Sequence, residues 1–138
     1  MSSRGLRNCN PGNIRRSAVR YKGEKSVSTD SAFKQFESIE AGYRAMFVLL
    51  HTYRVRDYGH TIAEMIARYA PPIENNTEAY ISRVERASKI GRTTPLDTLS
   101  AEQMIPVVCA MSAVENGVAA DREAVERGWQ MFVADFGE

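Results

Sequence analysis

The opening stretch of the chain has no repeating apolar pattern. Residues 1–32 are polar and rich in Gly, Asn, Ser and Arg, and Asn10-Pro11-Gly12-Asn13 is the clearest turn signal. Loops with short strands are expected there. The spacing then becomes helical. Ser38 stands as a cap behind Phe33 and Phe36, and Tyr43, Met46, Phe47, Leu49, Leu50 and Tyr53 follow at helical spacing as far as Asp57. Thr61 and Glu64 form a capping box ahead of Ile62, Met65, Ile66 and Tyr69, and Pro71-Pro72 closes that helix. Thr77 is placed to cap a helix carrying Tyr80, Ile81, Val84 and Ile90, with Gly91 as its stop.

Residues 92–99 form a connector. Ser100 and Gln103 make another capping box, opening a helix with Met104, Ile105, Val107, Val108, Met111 and Val114 that reaches Glu115 and stops near Gly117. Pro106 is expected to bend its first turns. A last helix from Asp121 presents Val125, Gly128, Trp129, Phe132 and Val133 on one side. The pattern predicts a mainly α, α+β fold of about five helices with a small β or loop N-terminal segment. Neither a repeat nor a linker divides it, so residues 1–138 are expected to form a single domain.

Composition narrows the chemistry. With 138 residues, 43% hydrophobic and 25% charged, one core can form without a disulfide or a structural metal. Eighteen Lys and Arg against seventeen Asp and Glu leave a charge of +1, which lacks the basic excess of a dedicated nucleic-acid binder. Arg4, Arg7, Arg15, Arg16, Arg20, Lys22 and Lys25 nevertheless crowd the first quarter. They form either a solvated face or a patch that attracts an anionic polymer, glycan or nucleic acid. Cys9 and Cys109 lie 100 positions apart, and His51 and His60 are the two histidines, so no familiar zinc spacing exists and neither metal nor cofactor is implied. Cys109 reads as a small buried hydrophobe. No stretch reaches the ~18 apolar residues of a membrane span, and no apolar segment marks the N-terminus. Synthesis in the cytoplasm without a Sec-type signal is the expectation.

Glu115 is the most informative acid. Counting back through Met111, Val108 and Met104 places it on the apolar stripe of its helix, where desolvation raises a carboxyl pKa. It also falls in the last turn, where the helix dipole disfavours an anion. A carboxylic acid kept protonated near neutral pH is what glycosidic cleavage uses; the alternative is a surface Glu at a fraying helix end. Asn8, Asn10 and Asn13 offer amides suited to sugar hydroxyls or an acetamido group, or else close Asx turns on themselves. Glu74, Asn75 and Asn76 are candidates to line a groove, and Tyr80 either packs in the core or points its hydroxyl at substrate. Cys9 with His51 or His60 as base would be a peptidase alternative, but Cys9 precedes only a turn.

The string Arg4-Gly5-Leu6-Arg7-Asn8-Cys9-Asn10-Pro11-Gly12-Asn13-Ile14-Arg15 resembles a group of bacteriophage and prophage proteins described as virion structural proteins or lysozyme-like endolysins. Asn commonly fills the place of Cys9 in that group, which argues against a catalytic cysteine. Phe33 and Phe36, Ala41-Gly42-Tyr43-Arg44-Ala45, Thr61-Ile62 and Tyr69-Ala70-Pro71-Pro72-Ile73-Glu74-Asn75-Asn76-Thr77 with Tyr80 continue the likeness over residues 4–91.

A weaker likeness is to glucosaminidases of the flagellar and autolysin type. Met104 to Gly117 looks like their catalytic-Glu helix, Asn8 to Arg15 like the turn that follows it, and Asn76 to Tyr80 like the segment with a functional Tyr. The order here is rotated. The resemblance implies a circularly permuted lysozyme-like domain with Glu115 as general acid and Tyr80 near the reacting sugar, Glu40 and Glu74 remaining competitors for the acid. It implies peptidoglycan cleavage by a muramidase, glucosaminidase or lytic transglycosylase, acting in the periplasm or cell wall or as part of a virion. A non-catalytic virion or glycan-binding protein of the same fold, among virion partners, is the alternative.

Overall fold

The computed structural model describes residues 2–72 and 75–137. Its elements are helices: α1 (Arg4–Arg7), α2 (Ile39–Val55), α3 (Ile62–Tyr69), α4 (Thr77–Ser88), α5 (Ala101–Asn116) and α6 (Arg122–Phe136). Among the described residues the expected β segment reduces to two isolated antiparallel bridges, Arg15 to Phe33 and Glu24 to Phe36. The α+β expectation is therefore corrected to an all-helical fold. Side chains rather than a strand ladder satisfy much of the backbone there.

Each of the six helices begins at a polar cap, Ser3 serving α1. The Ser38, Thr61, Ser100 and Asp121 side chains accept from the backbone N–H groups of Ala41, Glu64, Gln103 and Ala124, satisfying donors that a helix start leaves orphaned. α4 departs by one residue: Asn76 is its cap, while the Thr77 hydroxyl donates instead to the Ala70 carbonyl at 2.5 Å and closes the loop behind α3. α4 also ends early. Lys89, at φ 61, takes the left-handed position expected of Gly91. α5 runs through Pro106 and ends at Gly117, whose φ of 72 suits a residue without Cβ.

α5 is buried on several faces and packs against α1, α2, α4 and α6. α2 and α6 lie closely along one another, with Gly128 admitting the α2 backbone near Glu40 and Arg44. Phe47 meets Trp129 edge-on at 5.0 Å between ring centroids and lies beside Phe132 at 6.0 Å, filling that seam with apolar surface. Gly42 serves a second approach. A Cβ there would collide with the Cys9 carbonyl oxygen, so glycine lets the Asn10 turn rest directly on α2.

The residues between α1 and α2 are held by polar side chains. Asn10, fully buried, donates through Nδ2 to the carbonyls of Ile14 and Lys34 at 2.9 and 3.0 Å and accepts from the Ile14 N–H at 2.9 Å. Asp30 accepts from Nε and one terminal nitrogen of Arg4, from Asn8, and from the Ala32 and Phe33 amides. Lys34, at 1% side-chain exposure, gives its ammonium to the Ser17 and Val19 carbonyls and to Glu24. Several of the N-terminal cations are thus paired, Arg4 with Asp30, Arg20 with Glu24 and Lys22 with Asp135. No helix among the described residues is long and apolar enough to cross a membrane.

Candidate active site

Glu115 is the penultimate residue of α5, and the turn between α1 and residue 15 is drawn against that helix end. Asn116 fixes the junction: its Nδ2 donates to the Pro11 carbonyl at 2.8 Å and to the Ser112 carbonyl at 2.9 Å, and its Oδ1 accepts from the Ser3 hydroxyl at 2.6 Å. The Glu115 carboxyl then receives one donor on each oxygen. Asn13 Nδ2 donates to Oε1 and the Tyr80 hydroxyl donates to Oε2, both at 2.9 Å. Asn13 reaches it from a left-handed backbone at φ 49, which Asn tolerates better than most residues.

Glu115 and Asn13 border a cleft of about 370 Å³ whose wall also includes Arg15, Leu49, Tyr53, Tyr69 and Asn75. The Tyr69 hydroxyl donates to the Gly12 carbonyl and so ties α3 to the turn. Glu115 is the one carboxylate in that wall among the described residues. Burial pushes its pKa up, and the Asn13 and Tyr80 hydrogen bonds and the nearby Arg15 charge pull it down; the net direction is upward. Burial, followed by the Glu115 charge, holds the Tyr69 and Tyr80 phenols well above their ordinary range, so both remain donors.

The site residues expected from sequence divide sharply. Glu115, Asn13 and Tyr80 come together, although Tyr80 is 5% exposed and spends its hydroxyl on the carboxyl rather than facing the cleft. Asn75 lines the cleft. Asn76 is exposed and its side-chain oxygen caps α4. Asn8 and Asn10 are buried at 8% and 0% exposure with their amides turned inward, so they shape the turn instead of presenting groups to a ligand. Glu74 lies outside the described residues. Glu40 pairs with Arg127 of α6 and is absent from the described cleft wall. Cys9 finds no base: His51 bonds Thr98 and His60 contacts Asp57, and both cysteines are unbridged.

Tyr69, Arg15 and Asn116 were not singled out for the site by sequence. Tyr69 carries the periodicity of a core residue, and Asn116 looks like part of a helix stop, so neither has a local signal. Among the described residues no cluster of His, Cys, Asp and Glu could hold a metal ion.

Fold and site together define an all-helical protein with a half-buried carboxyl, gripped by an amide and a phenol, at the edge of a cleft. No model of a known protein family matches the chain. It is 37% identical over 119 residues to Protein P5 of Pseudoalteromonas phage PM2, an alignment that covers 84% of this chain and 72% of that protein. The chain belongs to the family of that phage protein.

Proposed function

We propose that the protein cleaves the glycan strands of peptidoglycan, as a muramidase, glucosaminidase or lytic transglycosylase, with Glu115 as general acid. The observation that carries this reading is the Glu115 carboxyl itself, raised in pKa by burial and facing a cleft while Asn13 and Tyr80 fix its orientation. A protonated Glu115 gives its proton to the glycosidic oxygen as oxocarbenium character develops at the sugar carbon. The two hydrogen bonds then stabilise the carboxylate left behind. Tyr80 is a positioning residue in this account, and Asn13 both positions the acid and borders the substrate.

The second step belongs either to water activated by a second carboxylate, which gives hydrolysis, or to a group of the substrate, which the single carboxylate among the described residues of the wall favours. Of the substrate's groups, either the 2-acetamido oxygen attacks the sugar carbon to give an oxazolinium that water then opens, or the sugar's 6-hydroxyl attacks, passes its proton to the Glu115 carboxylate and yields an anhydro end. The contact of the α5 terminus with the Asn10–Asn13 turn supports a permuted lysozyme-like domain spanning the chain, because it joins in space segments that the rotated order separates in sequence. The substrate is reached in the periplasm or cell wall, or from a virion.

A second reading has its own observation. A carboxylate with each oxygen already satisfied is also what a purely structural acid looks like, and a non-catalytic virion or glycan-binding protein would keep it. Mass spectrometry of soluble fragments released from purified peptidoglycan separates the two. Saccharides with new reducing or anhydro ends support the enzyme, and no fragments from several wall types support the non-catalytic protein.

A further inference from the structure

A second cleft, of about 440 Å³, continues from the first: Leu49, Tyr53 and Arg68 line both. Its character differs. Arg20, Lys22, Arg44, Arg56 and Arg68 all lie in its wall, and among the described residues no carboxylate does. Arg20 and Lys22 are paired with Glu24 and Asp135 at its margin, but Arg56 and Arg68 have no carboxylate partner among the described residues. Arg68 lies over the rings of Tyr58 and Tyr53, at 4.0 and 5.5 Å from their centroids, which holds its guanidinium in place without neutralising it.

Arg44 adds an independent sign. It is 6% exposed and gives one terminal nitrogen to Asp135 at 2.8 Å, while its buried Nε has no acceptor. A guanidinium buried with a donor unmet carries a desolvation cost that a nearby anion offsets.

We propose that this second cleft is an anion subsite that receives the carboxylates of the peptide stem attached to a strand bound at Glu115, an inference that rests on the function proposed above. The sugars of such a strand are neutral, so the stem peptides are where it carries carboxylates. A substituent leaving the first cleft over Tyr53 and Arg68 enters the second directly. The cleft has room for a few residues, and the chain's charge is only +1, which favours a short acidic peptide over a nucleic-acid backbone. Two exposed guanidiniums, Arg56 and Arg68, are available for bidentate carboxylate binding.

The test is calorimetric titration of the whole protein at low ionic strength. The probes are a soluble stem peptide with three free carboxylates, the same peptide fully amidated, and a single-stranded oligonucleotide of equal charge. Because none of these contains the bond to be cleaved, the result is independent of whether Glu115 is an acid. The free-carboxylate peptide is expected to bind, the amidated one to bind at least tenfold more weakly, and the Arg56→Gln/Arg68→Gln variant to lose at least tenfold in affinity for the first. Both positions are exposed, and an unchanged circular dichroism melt confirms that the variant folds. Equal binding of the two peptides, no binding of either, or tighter binding of the oligonucleotide than of the acidic peptide would each overturn the proposal.

Discussion

Two neighbours of α2 are held to it by opposite means. α6 meets it through Phe47, Trp129 and Phe132, a seam in which shape and apolar area do the holding. The Asn10 turn rests on Gly42 of the same helix, but its own shape comes from Asn10, Asp30 and the Lys34–Glu24 pair. Apolar packing tolerates repacking and is lost in proportion to the volume removed. A buried polar network behaves otherwise, since removing one member strands its partners. The candidate site lies where the polar segment meets the end of α5, so its geometry depends on the less tolerant of the two.

The largest stability change is expected in the apolar seam. Phe47→Ala should cost about 3–5 kcal/mol, measured by urea unfolding, because Phe47 is 1% exposed and its ring contacts cannot be replaced by relaxation alone. Lys34→Met should cost about 3 kcal/mol by leaving Glu24 with Arg20 but without its ammonium and the Ser17 and Val19 carbonyls without their donor, and Lys34→Met/Glu24→Leu should recover part of that loss. Equal loss in the double variant would show that the carbonyl bonds of Lys34, rather than its charge, hold the segment. Asn10→Ala should cost about 2 kcal/mol through the stranded Ile14 and Lys34 backbone groups, and should depress activity out of proportion to its melting temperature.

A smaller effect sharpens the role of Tyr80. Its hydrogen bond lowers the Glu115 pKa, so Tyr80→Phe should let the acid stay protonated to higher pH. The alkaline limb of the pH–activity profile should move upward, a shift that a merely structural tyrosine would not produce.

The smallest effects are in the pH dependence of stability, where the two acids have opposite signs. Asp30 is held well below the ordinary carboxylate range, first by Arg4 and then by the Ala32 amide and Asn8. Its contribution is present above the unfolded pKa of about 3.9 and is lost as pH falls toward the folded value. Glu115 is raised, so its ionisation opposes folding: stability declines as pH rises through the unfolded value of about 4.3 and levels off above the folded one. Asp30→Asn should flatten the acid limb of unfolding midpoint against pH, and Glu115→Gln should remove the decline on the other side.

The contrast between the regions also explains what could be read from sequence. α2, α3, α5 and α6 follow from apolar periodicity and from the caps Ser38, Thr61, Ser100 and Asp121, since both signals are local. α1 spans only Arg4–Arg7, too short for a period to register. The Asn76 cap and the Lys89 terminus were each displaced from the expected residue because tertiary bonds, such as that of Thr77 to Ala70, decide between adjacent candidates. In the site, Glu115 stood out as an acid on an apolar stripe. Asn8, Asn10 and Asn13 looked alike, and only the folded turn distinguishes the one that reaches the carboxyl from the two that brace the backbone.

The most direct test of the acid role is the rate of saccharide release from purified peptidoglycan by the wild-type protein and by Glu115→Gln, with both confirmed as folded by their melting curves. Loss of the transferable proton should lower the rate by about 10²–10⁴-fold without unfolding the protein. Release at the wild-type rate by a folded Glu115→Gln protein would contradict the assignment of Glu115 as the general acid.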